Sequence, residues 1–338
     1  MADKAAYSYI DTSKVPELVG DDAPKKFALC MSILSNTAWP LYLIGPSGSG
    51  KTLMALNIAK RYGEDNGVPA YYVQLSPEMT KTSLILGLRL IDGSMKVVDG
   101  VVADCMKKGG IIVVDEATHT THELLLMFNS ILDRTSVTSV GDRIIYSAET
   151  FRMVFCSNDS SYAGNVRLPQ SFAQRMVAVS FDYPSFESEV AIARRIAADE
   201  SKTPVTVPDS VTRYIVATIR MARSPQYPLS ARNSAIILVL LNLMGRSDVP
   251  MDRYFTNEDT AEAKRRSAAS RIFQTDNEII SMDMLLDPRV TEFQEFVSGV
   301  GVENFREAFL SGAMYYLDVD GLELNQDAVR NMFANLIV

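Results

Sequence analysis

The sequence predicts an α/β fold, with a central parallel sheet covered by helices, then a helical lid and an extra C-terminal helical region. Short apolar runs alternate with stretches of helical periodicity through the first half of the chain, and the pattern turns wholly helical after residue 185. A glycine-rich turn also sits between the first strand and a helix.

In chain order, residues 24–36 read as a helix with Phe27, Cys30, Met31 and Leu34 on one face. A buried strand follows at 41–44, then the turn, then a helix at 53–62. Further strands are expected at 70–75, 111–114, 151–156 and 177–181. Two hairpins interrupt the alternation, one at 88–98 turning at Asp92-Gly93, the other pairing 137–140 with 143–146 around Gly141-Asp142. Helices then cover 186–199, 209–223 and 230–244, with Asp209 and Ser230 as expected N-caps. Beyond residue 246 the chain is helical and charged at first, over 258–271, and mixed to its end. The expected division is an N-terminal linker at 1–23, an α/β core at 24–182, a lid at 183–250 and a helical extension at 251–338.

At 47% apolar and 22% charged residues the composition is that of a globular protein, and a net charge of −8 disfavours non-specific attraction to nucleic acid or anionic membranes. Cys30, Cys105 and Cys156 are too scattered for a disulfide framework or a metal cluster, and read as small apolar residues in a reducing compartment. The N-terminal stretch lacks the apolar core of a signal peptide, and the longest apolar run, near 235–244, is too short to span a bilayer. The expected location is the cytoplasm.

Gly45-Pro46-Ser47-Gly48-Ser49-Gly50-Lys51-Thr52 matches the P-loop pattern in full and lies between a strand and a helix, as that pattern requires. Glycines let successive backbone N–H groups turn inward onto a phosphate, and the helix that follows adds its positive end. Lys51 is expected to reach the β- and γ-phosphates of ATP, and Thr52 to place its hydroxyl on Mg2+. The run Ile111 to Val114 ends in Asp115-Glu116. Asp115 is the expected holder of the magnesium shell, and Glu116 the general base that polarises water.

With these residues in place, the chain resembles the AAA+ superfamily of P-loop NTPases and, within it, the MoxR-like group. That group includes the gas-vesicle N protein, the Q-type activators of Rubisco and nitric oxide reductase, and metal-chelatase motor subunits. The resemblance covers roughly 20–245 and rests also on the stretches 100–110 and 132–138, on Ser157-Asn158 with Tyr162-Ala163-Gly164, on Leu168-Pro169, Arg175-Met176 and Tyr183-Pro184. It implies that Asn158 is sensor 1, Arg175 the arginine finger offered to a neighbouring subunit, with Arg134, Arg152 and Arg167 as rivals, and Arg232 sensor 2. It implies that the hairpins face a central pore or the substrate side. It further implies a homo-oligomeric ring, taken as a hexamer, acting on a protein client, with a von Willebrand factor A domain protein as a common companion. Arg134 in place of an acidic residue, Met176 in place of Phe, and the region beyond about 250 depart from the group.

His119 and His122 have the wrong order for a zinc-protease motif, and Asp318-Val319-Asp320-Gly321 has its glycine at the wrong offset for a calcium loop. Lys264-Arg265-Arg266 has acids nearby and reads as a solvated face. The favoured function is an ATP-driven ring that remodels or activates a protein. The alternative is a nucleic-acid motor or loader on the same core, against which the acidic balance and the lack of a helix-turn-helix or zinc module both count.

Overall fold

The structure is a computed structural model that describes residues 9–245 and 288–313 except 21, 92, 134, 141–142, 159–167 and 225–226. The turn residues Asp92 and Gly141-Asp142, the motif Tyr162-Ala163-Gly164, Arg134, Arg167, the charged stretch 258–271 with Lys264–Arg266, and Asp318–Gly321 therefore lie outside the described residues. The chain divides into two units, Met1–Tyr183 and Pro184–Val338.

Apolar runs of four or five residues flanked by turn signals are suited to strands buried on both faces. The first unit forms them as β1 (Leu41–Gly45), β2 (Ala70–Gln74), β5 (Ile111–Asp115), β8 (Arg152–Asn158) and β9 (Val177–Ser180). They make one parallel sheet in the order β2-β5-β8-β1-β9. Alternate residues serve opposite faces. Leu41, Leu43, Ile111, Val113, Val154 and Cys156 pack on α1 (Ala23–Asn36) and α2 (Lys51–Asn66). Tyr42, Ile112, Val114, Met153 and Phe155 pack on α4 (Val101–Lys108) and α5 (His122–Leu132). Phe128, Phe155 and Phe172 meet edge to face there, with Phe155–Phe128 and Phe155–Phe172 centroids 5.4 and 5.2 Å apart.

Both expected hairpins form. The first, β3 (Leu86–Ile91) with β4 (Ser94–Asp99), extends beyond the expected arms at both ends, between α3 (Lys81–Ile85) and α4. The second, β6 (Val137–Val140) with β7 (Arg143–Tyr146), has the expected bounds. The helix expected at 53–62 begins two residues earlier and runs to Asn66. The short helices α3 and α6 (Gln170–Ala173), of five and four residues, carry too little sequence for a helical period to register.

In the second unit, α7 (Phe186–Glu200), α8 (Asp209–Ala222) and α9 (Ala231–Met244) enclose one apolar core with α10 (Pro288–Val300) and α11 (Val302–Gly312). Tyr214 of α8 lies 4.6 Å from the Phe293 ring, centroid to centroid, and Phe305 and Phe309 complete the cluster. The boundary drawn at 250 and 251 falls outside the described residues, and the helices beyond it share the core of α8 and α9. Ser230 is the N-cap of α9, its backbone N–H donating to Asn233 Oδ1 at 3.0 Å. The expected cap at Asp209 is not formed: Pro208 occupies that position, and the Asp209 carboxylate accepts from Arg213 Nε at 2.6 Å.

Candidate nucleotide site

Parallel register brings the C-terminal ends of the central strands to one rim, with Gly45 of β1 opposite Asn158 of β8, and Gln74 of β2 opposite Asp115 of β5. Open α/β sheets bind ligands at that rim. Beyond β1, Gly48 and Gly50 take φ of +77° and +89°, a region where glycine carries no side-chain penalty. Nothing lies within 4 Å of where a Cβ at Gly50 would sit, so the turn faces open space. Ser49 Oγ donates to the Pro46 carbonyl at 2.8 Å and closes the loop.

Lys51, the first residue of α2, is buried, and its Nζ donates to Pro46 O at 2.7 Å and to Asn158 Oδ1 at 3.1 Å. Thr52 Oγ1 donates to Asp115 Oδ2 at 3.0 Å. The expected residues Lys51, Thr52, Asp115, Glu116 and Asn158 are thus joined by direct contacts at one end of one sheet. Their chemistry fits a magnesium-bound nucleoside triphosphate. The ammonium of Lys51 and the turn's amides suit phosphate oxygens, and the Thr52 hydroxyl with the Asp115 carboxylate is the hard oxygen pair that magnesium takes. Among the described residues no group of three or more His, Cys, Asp or Glu could hold a metal by itself, and both His119 and His122 are exposed.

Asp115 and Glu116 are adjacent but differently held. Asp115 Oδ2 also accepts from the Tyr72 hydroxyl at 2.9 Å, and its Oδ1 accepts from the Glu116 backbone N–H at 2.9 Å. Backbone bonds from Leu75 N–H to Asp115 O (3.0 Å) and from Ala117 N–H to Cys156 O (2.8 Å) pin the chain on both sides. Between them Glu116 adopts φ +52°, an uncommon conformation for a non-glycine residue that ends the strand abruptly. Its half-buried carboxyl has a raised pKa, first from burial and then from the Asp115 charge, with Lys51 acting the other way. Asn158 Nδ2 reaches Glu116 Oε2 at 3.5 Å, placing the expected sensor beside the expected base.

Arg175 lies between α6 and β9, the edge strand of the sheet. It donates to Ser171 O at 2.5 Å and approaches Asp133 at 3.6 Å. Its rival Arg152 sits at the start of β8, the opposite end from Asn158, and its guanidinium holds the carbonyls of Leu34, Glu149 and Phe151. Arg232 is exposed in the first turn of α9, in the second unit.

Two features escaped the sequence reading. Tyr72 reads as an ordinary strand aromatic, yet its hydroxyl joins the site. Glu189 lies on α7, where helical spacing gives no warning of burial, and it is fully buried between Arg220 and Arg223. The three cysteines are free and buried as expected, and burial raises each thiol pKa, that of Cys30 to about 11. No helix among the described residues is long and apolar enough to cross a membrane.

The strand order, the phosphate turn and the adjoining acids define an AAA+ P-loop domain. More particularly, residues 40–176 match the AAA domain of the dynein-related subfamily. It is 29% identical to the protein NorQ of Paracoccus denitrificans over 168 residues, 48% of this chain and 60% of NorQ. It is also 29% identical to an uncharacterised protein of Staphylococcus epidermidis over 175 residues, 49% of this chain and 61% of that one. The match therefore spans only about three fifths of these relatives. The likeness to NorQ agrees with the MoxR-like resemblance seen in the motifs. Among solved structures, NtrX of Brucella abortus superposes with a TM-score of 0.50 at 16% identity, over 95% of this chain and 69% of that one, a likeness of fold alone.

Proposed function

We propose that the chain hydrolyses ATP in a homo-oligomeric ring, taken as a hexamer, and couples the cycle to remodelling or activating a protein client. The observation that carries this reading is the contact chain from Thr52 to Asp115 and from Lys51 through Asn158 to Glu116. Bound magnesium ATP supplies an electrophilic γ-phosphoryl group whose charge the metal partly neutralises. Lys51 and the amides of Gly48 to Thr52 hold phosphate oxygens, and Thr52 with Asp115 holds the metal side. Asn158 orients water against Glu116, whose carboxylate accepts the proton as the water oxygen bonds to phosphorus and the ADP oxygen leaves.

Arg175 supports a ring. Its hold on Asp133 is an ion pair with a half-exposed partner, a weak tie that a neighbour's phosphate can replace. Arg232 serves as sensor 2 in the same reading. The hairpins present exposed apolar side chains, Met95 on β4 and Ile144 and Tyr146 on β7, suited to gripping a client, alone or with a von Willebrand factor A domain protein. The ring works in the cytoplasm without membrane insertion or nucleic acid, in keeping with a net charge of −8.

The test is Glu116→Gln, measured by phosphate release and by binding of a fluorescent ATP analogue. Binding stays intact and turnover falls roughly 100- to 10,000-fold, the usual contribution of a positioned base. Near-normal turnover would remove Glu116 from the mechanism. In mixed rings, Arg175→Ala subunits regain part of their lost activity from Lys51→Ala partners. Confirmed mixed rings without rescue would end the role of Arg175 between subunits.

A further inference from the structure

We infer that Tyr72 is a positioning residue for the magnesium site, its phenol fixing the carboxylate of Asp115 from the neighbouring strand. The inference rests on the ATP-binding reading above and adds a residue to it. Tyr72 lies on β2, two residues before the Gln74–Asp115 register pair, so its side chain runs along the strand towards the rim. The hydroxyl donates to Asp115 Oδ2 at 2.9 Å, the same oxygen that accepts from Thr52 at 3.0 Å, while Oδ1 takes the Glu116 N–H at 2.9 Å. These bonds leave the carboxylate little freedom to rotate. The donor is built in: the Tyr72 ring packs against the apolar core beneath the sheet, under α2.

A carboxylate that holds a metal, directly or through its water, needs its own orientation fixed. Outer-shell partners that do so typically change metal affinity by about 10-fold or more when removed. Tyr72 supplies that restraint from an element that contributes none of the expected nucleotide ligands.

The experiment uses the full chain with Tyr72→Phe, which removes only the hydroxyl and keeps the ring in the core. Binding of a fluorescent ADP analogue is measured in EDTA and across a magnesium titration, with near-ultraviolet circular dichroism as the check on packing. In EDTA the variant binds like wild type, and the magnesium concentration at half effect rises roughly 10-fold. Placed in an Asp115→Asn background, the same substitution adds no further change, because both act through one carboxylate. A wild-type magnesium dependence overturns the assignment. So does equal weakening with and without magnesium, which marks Tyr72 as a packing residue. Failure of the wild-type chain to bind nucleotide at all sinks the parent reading instead.

Discussion

Replacing Glu189 by alanine tests the most heavily buried charge assembly among the described residues. Glu189 is wholly inaccessible, with one oxygen on Arg223 and the other 2.6 Å from Arg220. Arg220 also donates to Pro184 O at 2.9 Å, and Arg223 Nε to Leu229 O at 2.5 Å. One carboxylate therefore ties the start of the unit, α7, the end of α8 and, through Arg223, Leu229 just before Ser230. Deleting one partner of a buried pair typically costs about 3–5 kcal/mol, because charge is left without compensation. The Arg220 side chain is 33% exposed and can turn to water, whereas Arg223, at 11%, cannot do so without opening the core. The expected cost is thus about 3 kcal/mol, the low end of that range, or roughly a 100-fold gain in local opening. Hydrogen exchange of the α8 amides from Tyr214 to Ile219 measures it directly. Replacing all three charged residues with methionine removes the stranded charge as well and recovers most of the loss. Protection in Glu189→Ala within about 1 kcal/mol of wild type would refute the reasoning.

Gly45→Ala places a Cβ 2.2 Å from the Phe181 carbonyl oxygen, beside the Phe181 N–H to Ile44 O bond of 2.7 Å, so β1 and the chain after β9 must part. A loss of about 2 kcal/mol in thermal or denaturant unfolding is expected, together with weaker nucleotide binding, and an unchanged midpoint would show that the backbone yields freely. Because Glu116 has a raised pKa and works as its anion in the proposed mechanism, activity is expected to fall as pH drops through that raised value. The acid limb of kcat/KM therefore lies above the ordinary glutamate range, and a limb within that range would contradict the assignment. The same shift has a stability counterpart. The fold binds the Glu116 proton more tightly than the unfolded chain, so its contribution is full below the ordinary glutamate pKa and lost as pH rises through the raised one. Ligand-free Glu116→Gln should consequently melt no lower than wild type at neutral pH.

Much of the nucleotide-binding half was legible because its signals are local. The runs at 41–44 and 111–114 are apolar throughout, which suits only strands covered on both faces, and they form the neighbourhood of the phosphate turn. Lys51 and Thr52 could be named because a strand, a turn and a helix fix them within a few residues, Asp115 because it ends an apolar strand, and Asn158 only through the family resemblance. The unread parts depend on contacts far apart in sequence. Nothing near Glu189 announces that Arg220 and Arg223, over thirty residues later, will neutralise it in the core. Asp209 had the right residue type and place for a cap, but Arg213, one turn on, competes for its carboxylate. Tyr72 looked like core because most of it is, and only the neighbouring strand's register shows where its hydroxyl ends.

The adjacent acids show how position along one strand assigns different chemistry to like groups. Asp115 is still within β5, so its carboxylate is directed by the pleat and surrounded by donors from α2, β2 and its own backbone. Those donors fix its orientation, which is what a metal-holding group requires. One residue later the backbone turns to φ +52°, and Glu116 leaves the strand direction for a place beside Asn158. There it is partly desolvated and faces the Asp115 charge, so its proton affinity rises. A general base gains from being a stronger proton acceptor than an ordinary exposed carboxylate. On a straight strand successive side chains face opposite sides of the sheet, so it is the turn at Glu116 that lets its carboxyl lie beside Asn158 at the same rim as Asp115.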